Sequence, residues 1–137
     1  MRILAVDPGE KNLGIAISDS TGTIANPLTV LKHVSRPLDA AAIAQIAADH
    51  QAERIIVGQA LDDDGQPTPE GRRACRLAEA LQAQTDLPIE LWDESGSTQA
   101  ARQARLAMGV SRRKRHGHLD DLAAAYILQT YLDRDLL

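Results

Sequence analysis

The chain has 137 residues, 44% of them hydrophobic and 25% charged, enough for one domain whose core needs no covalent staples. Its formal net charge of −4 excludes a global pull towards nucleic acid, so any such binding must come from a local patch. The single cysteine, Cys75, excludes a disulfide framework, and no apolar run nears the roughly 18 residues of a membrane span.

The few residues before Asp7 do not resemble a signal peptide. The expectation is a cytoplasmic protein with no membrane partner, residues 1–137 forming one domain. With no Phe and one Trp, its core must be Leu, Ile, Val and Ala.

In chain order, Ile3 to Val6 is an apolar strand that runs straight into Asp7. Pro8-Gly9 opens a short turn bracketed by Gly9 and Gly14, and Leu13 to Ile17 should pair back as a hairpin. Asp19-Ser-Thr-Gly22 is a second turn by composition. Thr23 to Val34 predicts a third strand, with Pro27 confining its first part to an edge or a bulge. Pro37 suits a first helical turn, and Leu38 to His50 carries Ile43, Ile46 and Ala47 on one side.

Arg54 to Gly58 is a continuous apolar run, the pattern of a strand covered on both faces. A polar loop from Gln59 to Thr68 follows. Its Asp62-Asp63-Asp64-Gly65 run lacks the closing Glu of a calcium loop and reads as solvated. Thr68-Pro69-Glu70 starts a helix with Ala74, Leu77, Ala78 and Leu81 at i, i+3, i+4 and i+7. Ile89 to Trp92 is a further strand, ending in Asp93 and Glu94. Ser97 or Thr98 can cap the next helix, which Gly109 stops after about Met108. Val110 to His118 is a basic loop, and a hydrophobic helix runs from Leu119 to about Arg134. Alternating strands and helices in the second half imply parallel neighbours.

Carboxylates end two buried strands and open the last helix. Asp7, Asp93/Glu94 and Asp120/Asp121 could therefore converge on one side of a sheet as a hard-oxygen site for Mg²⁺ or Mn²⁺. Two such ions about 4 Å apart can activate water and stabilise the leaving oxygen of a phosphodiester. At about 100° per residue, Ala124, Ile127, Leu128, Tyr131 and Leu132 define the buried helix face, and Asp120 and Asp121 flank it equally. Periodicity does not choose between them.

Arg112, Arg113, Lys114 and Arg115 lead directly into that helix. A like-charge block is usually a solvated loop, but here it would put cations beside the acidic residues. No aromatic residues interleave, so the expectation is phosphate contact rather than base stacking. Lys11, in the Asp7-Pro-Gly-Glu-Lys-Asn-Leu-Gly14 turn, is a further candidate for holding a phosphate backbone; the turn alone is a weak phosphate-cradle signal.

Taken together, Asp7-Pro-Gly-Glu-Lys-Asn-Leu-Gly-Ile-Ala-Ile-Ser-Asp19 resembles the opening of the YqgF (RuvX) family. These are small bacterial ribonuclease-H-like proteins described as Holliday junction resolvases or pre-16S rRNA nucleases. Ala25-Asn-Pro27-Leu, Ile56-Val-Gly58, Asp64-Gly65, Leu91-Trp-Asp-Glu94, Gly109-Val-Ser-Arg-Arg-Lys and Asp120-x-x-Ala-Ala-x-x-Ile-Leu-Gln129 follow in the family's order. The resemblance implies an α/β, ribonuclease-H-like fold: a five-stranded mixed sheet, three strands antiparallel and then parallel strands, with helices on both faces. It also implies a divalent-metal nuclease with acidic residues Asp7, Glu94 and Asp120, and Asp93 sharing the role. It thereby favours Asp120 over Asp121.

The chain departs from the family pattern in places. Gln59-Ala-Leu-Asp62 stands where Leu-Pro-Leu-Asn is usual, and Ser95-Gly96 replaces the Arg that normally follows the Asp-Glu pair. Losing that Arg removes a fixed cation beside the acidic set.

The function expected is hydrolysis of phosphodiester bonds in structured RNA or branched DNA. That means processing of the pre-16S rRNA 5′ end in ribosomal precursor particles, or resolution of Holliday junctions. The alternative is a non-catalytic RNA- or ribosome-binding module on the same scaffold. A sugar-kinase or ATPase relative would need a second lobe and a second phosphate turn, for which the chain lacks room.

Overall fold

A computed structural model of the chain describes residues 1–93 and 112–134, the side chains of 112–120 excepted. Its elements in order are β1 (Ile3–Pro8), β2 (Asn12–Ser18), β3 (Ala25–Lys32), α1 (Arg36–Asp49), β4 (Arg54–Gln59), α2 (Pro69–Gln82), β5 (Ile89–Asp93) and α3 (Arg112–Leu132). The five strands form one sheet in the order β3-β2-β1-β4-β5. β1 pairs antiparallel with β2 and β2 with β3, while β1 with β4 and β4 with β5 are parallel. This is the expected mixed sheet.

The pleat sorts side chains alternately to the two faces, and each face is apolar. Leu4, Val6, Leu13, Ile15, Ile17, Ile55 and Val57 pack with Ile43 of α1 and with Leu77 and Leu81 of α2. Ile3, Ala5, Ala16 and Ile56 pack on the other face with Ala124, Ile127, Leu128 and Tyr131 of α3. The central strands β1 and β4 therefore read as continuous apolar runs because both sides are covered. Each fully buried Leu or Ile contributes about 1.5–3 kcal/mol. α2 buries Ala74, Leu77, Ala78 and Leu81, the stripe that its spacing predicts.

Pro27 behaves as its chemistry requires. β3 is the outer strand, and the β2–β3 register slips between Ile15 and Ala16, so the ladder tolerates a residue with no N–H. The turn that leads into β3 is held by Asp19, whose carboxylate accepts from the Thr21 hydroxyl and from the N–H groups of Thr23 and Ile24. These bonds, that from Thr21 foremost, hold its pKa down to about 2.

Some boundaries move. β3 ends at Lys32, short of Val34. α1 begins at Arg36, because the Ser35 side chain accepts from Leu38 N–H and so caps the helix one turn ahead of the apolar stripe. The larger correction is the basic segment: residues 112–118, expected as a loop, belong to α3. Arg and Lys are good helix formers, and the helix already propagating from the apolar stripe extends through them at little cost. The helix expected from Ser97 or Thr98 to Met108 lies outside the described residues. Among those described, no helix is long and apolar enough to cross a membrane.

α3 is pinned at its C-terminal end. Gln129 accepts from Ala25 N–H (2.9 Å) and donates to the Thr23 carbonyl (3.0 Å), tying the helix to the β2–β3 turn. Gln129→Ala removes both bonds, leaving the half-buried Ala25 N–H without its partner while the Thr23 carbonyl is exposed to water. We expect a loss of about 1–2 kcal/mol with an unchanged denaturant m-value, measured by urea unfolding.

Candidate functional site

The site is built from the end of β1. Asp7 has the strand parity of Ile3 and Ala5, so the pleat directs it to the α3 face. Its partner across β2 is Gly14. On the other side, Val6 pairs with Val57, so Gly58 continues that register beside Asp7. Asp7 thus stands between two positions with no side chain. Beyond Gly58 comes Trp92, its partner in β5, whose indole N–H donates to the Thr130 hydroxyl of α3 at 3.0 Å.

The level of α3 along the sheet follows from its far end. Tyr131 is fully buried; its hydroxyl accepts from Arg54 Nη1 and donates to Glu90 Oε2, both at 2.7 Å. Arg54 and Glu90 begin β4 and β5 and lie 3.5 Å apart. The Tyr131 hydroxyl, with Glu90 behind it, raises the Arg54 pKa above its ordinary value. Asp121 lies ten residues before Tyr131, about 15 Å back along the helix axis at 1.5 Å per residue. Gly58 lies four residues after Arg54, about 13 Å along the strand at 3.3 Å per residue. The start of the Asp120–Tyr131 stretch is therefore level with Asp7.

Asp121 is 9% exposed, a buried carboxylate on the helix that covers Asp7's face. Asp120 lies in α3; its side chain is outside the described residues, as is Glu94 in full. Asp93 closes β5 opposite Gln59, and Gln59 reaches Cys75 of α2 at 3.0 Å. The pleat therefore assigns Asp93 to the α1/α2 face, across the sheet from Asp7.

Lys11 is exposed in the β1–β2 turn, with its carbonyl accepting from His33 N–H at 2.9 Å. Arg112, Arg113, Lys114 and Arg115 form the first turn of α3, well upstream of Asp120 on the same helix.

The donor chemistry at the strand tip is carboxylate oxygen, which suits a hard divalent cation rather than a soft one. Among the described residues no group of three acidic, His or Cys side chains is spaced to hold a metal, so a complete ligand set needs residues beyond them. Pattern reading missed the two flanking glycines. Their signal was present in the sequence as a Gly at one end of an apolar run, before Ile15 and after Val57, but it acquires meaning only from the β1–β2 and β1–β4 registers.

A five-stranded mixed sheet with helices on both faces and an acidic first strand end defines a ribonuclease-H-like protein. The fold matches Thermus thermophilus RuvC in complex with a Holliday junction substrate at a TM-score of 0.63, covering 99% of this chain and 96% of that one with 18% identity. It matches the fowlpox virus Holliday junction resolvase at 0.59, over the whole of both chains, with 18% identity. The family described as RuvX, Holliday junction resolvase, matches residues 1–134, and the chain belongs to it. Relatives named "Putative pre-16S rRNA nuclease" include one from Thermoanaerobacter pseudethanolicus, 41% identical over 97% of this chain and 96% of its own. A second, from Desulforamulus reducens, is 39% identical over 97% of both.

The turn that presents Asp7 depends on Gly9. Its N–H donates to the Asn12 carbonyl at 3.0 Å, and a Cβ at Gly9 would stand 2.3 Å from that oxygen. Gly9→Ala must open the turn. We expect a destabilisation of about 1–3 kcal/mol, visible as a lower thermal midpoint, where the reverse change at exposed Ala48 of α1, Ala48→Gly, costs about 1 kcal/mol or less.

Proposed function

We propose that this protein is a metal-dependent nuclease that hydrolyses phosphodiester bonds in structured nucleic acid. The substrate we favour is the 5′ end of pre-16S rRNA, within ribosomal precursor particles in the cytoplasm. The observation that carries the reading is the position of Asp7: at the tip of a central strand, between two glycines, level with the acidic start of the buried part of α3. Membership of the RuvX family and the names of its relatives support it.

Asp7, Glu94 and Asp120 would hold Mg²⁺ or Mn²⁺, which when bound supplies positive charge at the scissile phosphate and lowers the pKa of water. Asp93, which the pleat turns to the opposite face, is left out of this set. The chain's own part is to hold carboxylates where a backbone can approach closely. The glycines beside Asp7 leave that approach open, and Trp92 with Thr130 walls one side. Lys11 and Arg112 to Arg115 would grip flanking phosphates, contacts that position a strand without reading its sequence.

Asp7→Asn keeps the side-chain shape and removes its charge. We expect Mn²⁺-dependent cleavage of a structured pre-rRNA fragment to fall by more than about a hundredfold, the factor for roughly 2.7 kcal/mol of transition-state stabilisation, with the thermal midpoint retained. Equal cleavage by both proteins would point to a contaminating nuclease and remove the assignment. Running a four-way DNA junction in parallel separates the rRNA reading from junction resolution.

A second reading, a binding module without catalysis, is favoured by one observation: Ser95 stands where relatives of this pattern carry an Arg. It expects salt-sensitive RNA binding that alanine at Arg112, Arg113, Lys114 and Arg115 weakens at every sequence tested, and no metal-dependent cleavage by the wild type. Gel-shift titrations at two salt concentrations, beside the cleavage assay, decide between them.

A further inference from the structure

A cleft of about 90 Å³ opens on the opposite side of the β1–β2 turn from Asp7, beside Pro8 and Gly9. Leu13 and Leu77 of the α1/α2 core floor it. Three nitrogen-bearing side chains from three elements line it: Arg36 at the start of α1, Arg73 on α2, and His33 on the β3–α1 connection. Glu10 stands at the rim.

The acidic residue deepest in this wall is already engaged. Asp39 is 5% exposed; one carboxylate oxygen pairs with His33 Nδ1, and the other accepts from Val34 N–H at 3.0 Å. A carboxylate only accepts, so His33 Nδ1 carries the proton and Nε2 is left for another partner. Among the described residues the ion pairs are His33–Asp39 and Arg54–Glu90, so neither guanidinium in the cleft has a carboxylate within 4 Å. Half-buried Arg73 and exposed Arg36 take no part in the cap of α1, which Ser35 and Asp39 complete by themselves. Capping explains His33 and Asp39; it leaves the two arginines unexplained.

The wall is fixed to the turn that presents Asp7. His33 N–H donates to the Lys11 carbonyl, and Gly9 N–H to that of Asn12. Asp7 and Pro8 are consecutive in a pleated strand, so the cleft and the Asp7 face meet at one strand tip.

We propose that this cleft is an oxyanion subsite that holds one backbone phosphate of the nucleic-acid strand reaching Asp7, with Arg36 and Arg73 as donors. It rests on the nuclease reading above and adds to it a grip on the far side of the strand tip from the carboxylates. Guanidinium forks match phosphate oxygens in pairs. The cleft is too small for a base, so the contact is to phosphate alone.

The test uses the full chain and a labelled 12-nucleotide RNA in EDTA, with affinity followed by fluorescence anisotropy across a salt series. The double variant Arg36→Gln, Arg73→Gln should bind about tenfold more weakly at low salt. Its log–log salt slope should be shallower by about 0.7, the value for one phosphate of a single strand. Arg36→Lys, Arg73→Lys should regain the slope but only part of the affinity, since charge returns without the fork; a merely structural role for the arginines predicts no such split. Thermal midpoints check that each variant is folded. Calorimetry with inorganic phosphate should show only weak binding, in the millimolar range or above. Tight inorganic phosphate binding lost in the Gln variant, with RNA affinity unchanged, would mean a small-anion site and overturn the proposal. So would wild-type affinity and slope in the Gln variant. Cleavage that survives Asp7→Asn overturns the nuclease reading whatever the arginine variants do, so the two failures are distinguishable.

Discussion

The three-way contact of Tyr131 with Arg54 and Glu90 sets where everything on the α3 face of the sheet can be. A buried hydroxyl and a half-buried guanidinium both need partners, and each left unpaired costs roughly 1–3 kcal/mol or more. Here the hydroxyl and the Nη1 end of the guanidinium satisfy one another across three elements that are adjacent only in the folded chain, while Arg54 Nε stays buried without a hydrogen-bond partner among the described residues. Trp92 adds an edge-on contact to the Tyr131 ring at 5.1 Å, and Arg134 lies 3.9 Å over its centroid. Slipping α3 by one turn, about 5.4 Å, would break all of these together with the Gln129 bonds to Thr23 and Ala25. Apolar packing of Ala124, Ile127 and Leu128 is far more forgiving of a slip than this polar anchor. The anchor thus fixes, from the opposite end of the helix, the height along the sheet of the turn that carries Asp120 and Asp121.

Placing a carboxylate at the end of a strand buried on both faces is costly unless the surroundings open there. Gly14 and Gly58 flank Asp7 in β2 and β4 and contribute no side chain beside it. Both glycines are buried, as are their neighbours Ile15 and Val57 and the preceding Val6. The change from dry core to half-buried carboxylate therefore takes a single residue of β1, from Val6 to Asp7. A register shift of one residue in either pairing would bury Asp7 against a branched side chain.

Local patterns made much of this fold legible. The stripe of α2, the cap at Thr68, the hairpin of β1 and β2 and the edge placement forced by Pro27 each depend on residues a few positions apart. The candidate site was legible as a set of acids at element ends, but its geometry was not, because the Asp7–Gly58 adjacency comes from a crossover and a parallel register more than forty residues long. Helix periodicity alone left Asp120 and Asp121 equal, and the structure shows why such a tie arises: Asp121 itself is buried at the edge of the apolar face. The basic segment misled for a different reason. Four consecutive cations have the composition of a solvated loop, yet each is a good helix former, and a helix once nucleated by tertiary packing extends through such residues. Asp39 carried no signal in the pattern either; its carboxylate is partnered by His33 and Val34 of the β3–α1 connection.

The acidic balance of the chain makes the spatial separation of charge more informative than its total. The pleat sends consecutive residues to opposite faces: Asp7 to the α3 side, and Pro8 to the side where Arg36 and Arg73 stand. The strand tip therefore carries a carboxylate on one face and guanidinium groups on the other. One strand end, two faces and a turn held by Gly9 are enough to build that arrangement in a protein whose overall charge opposes it.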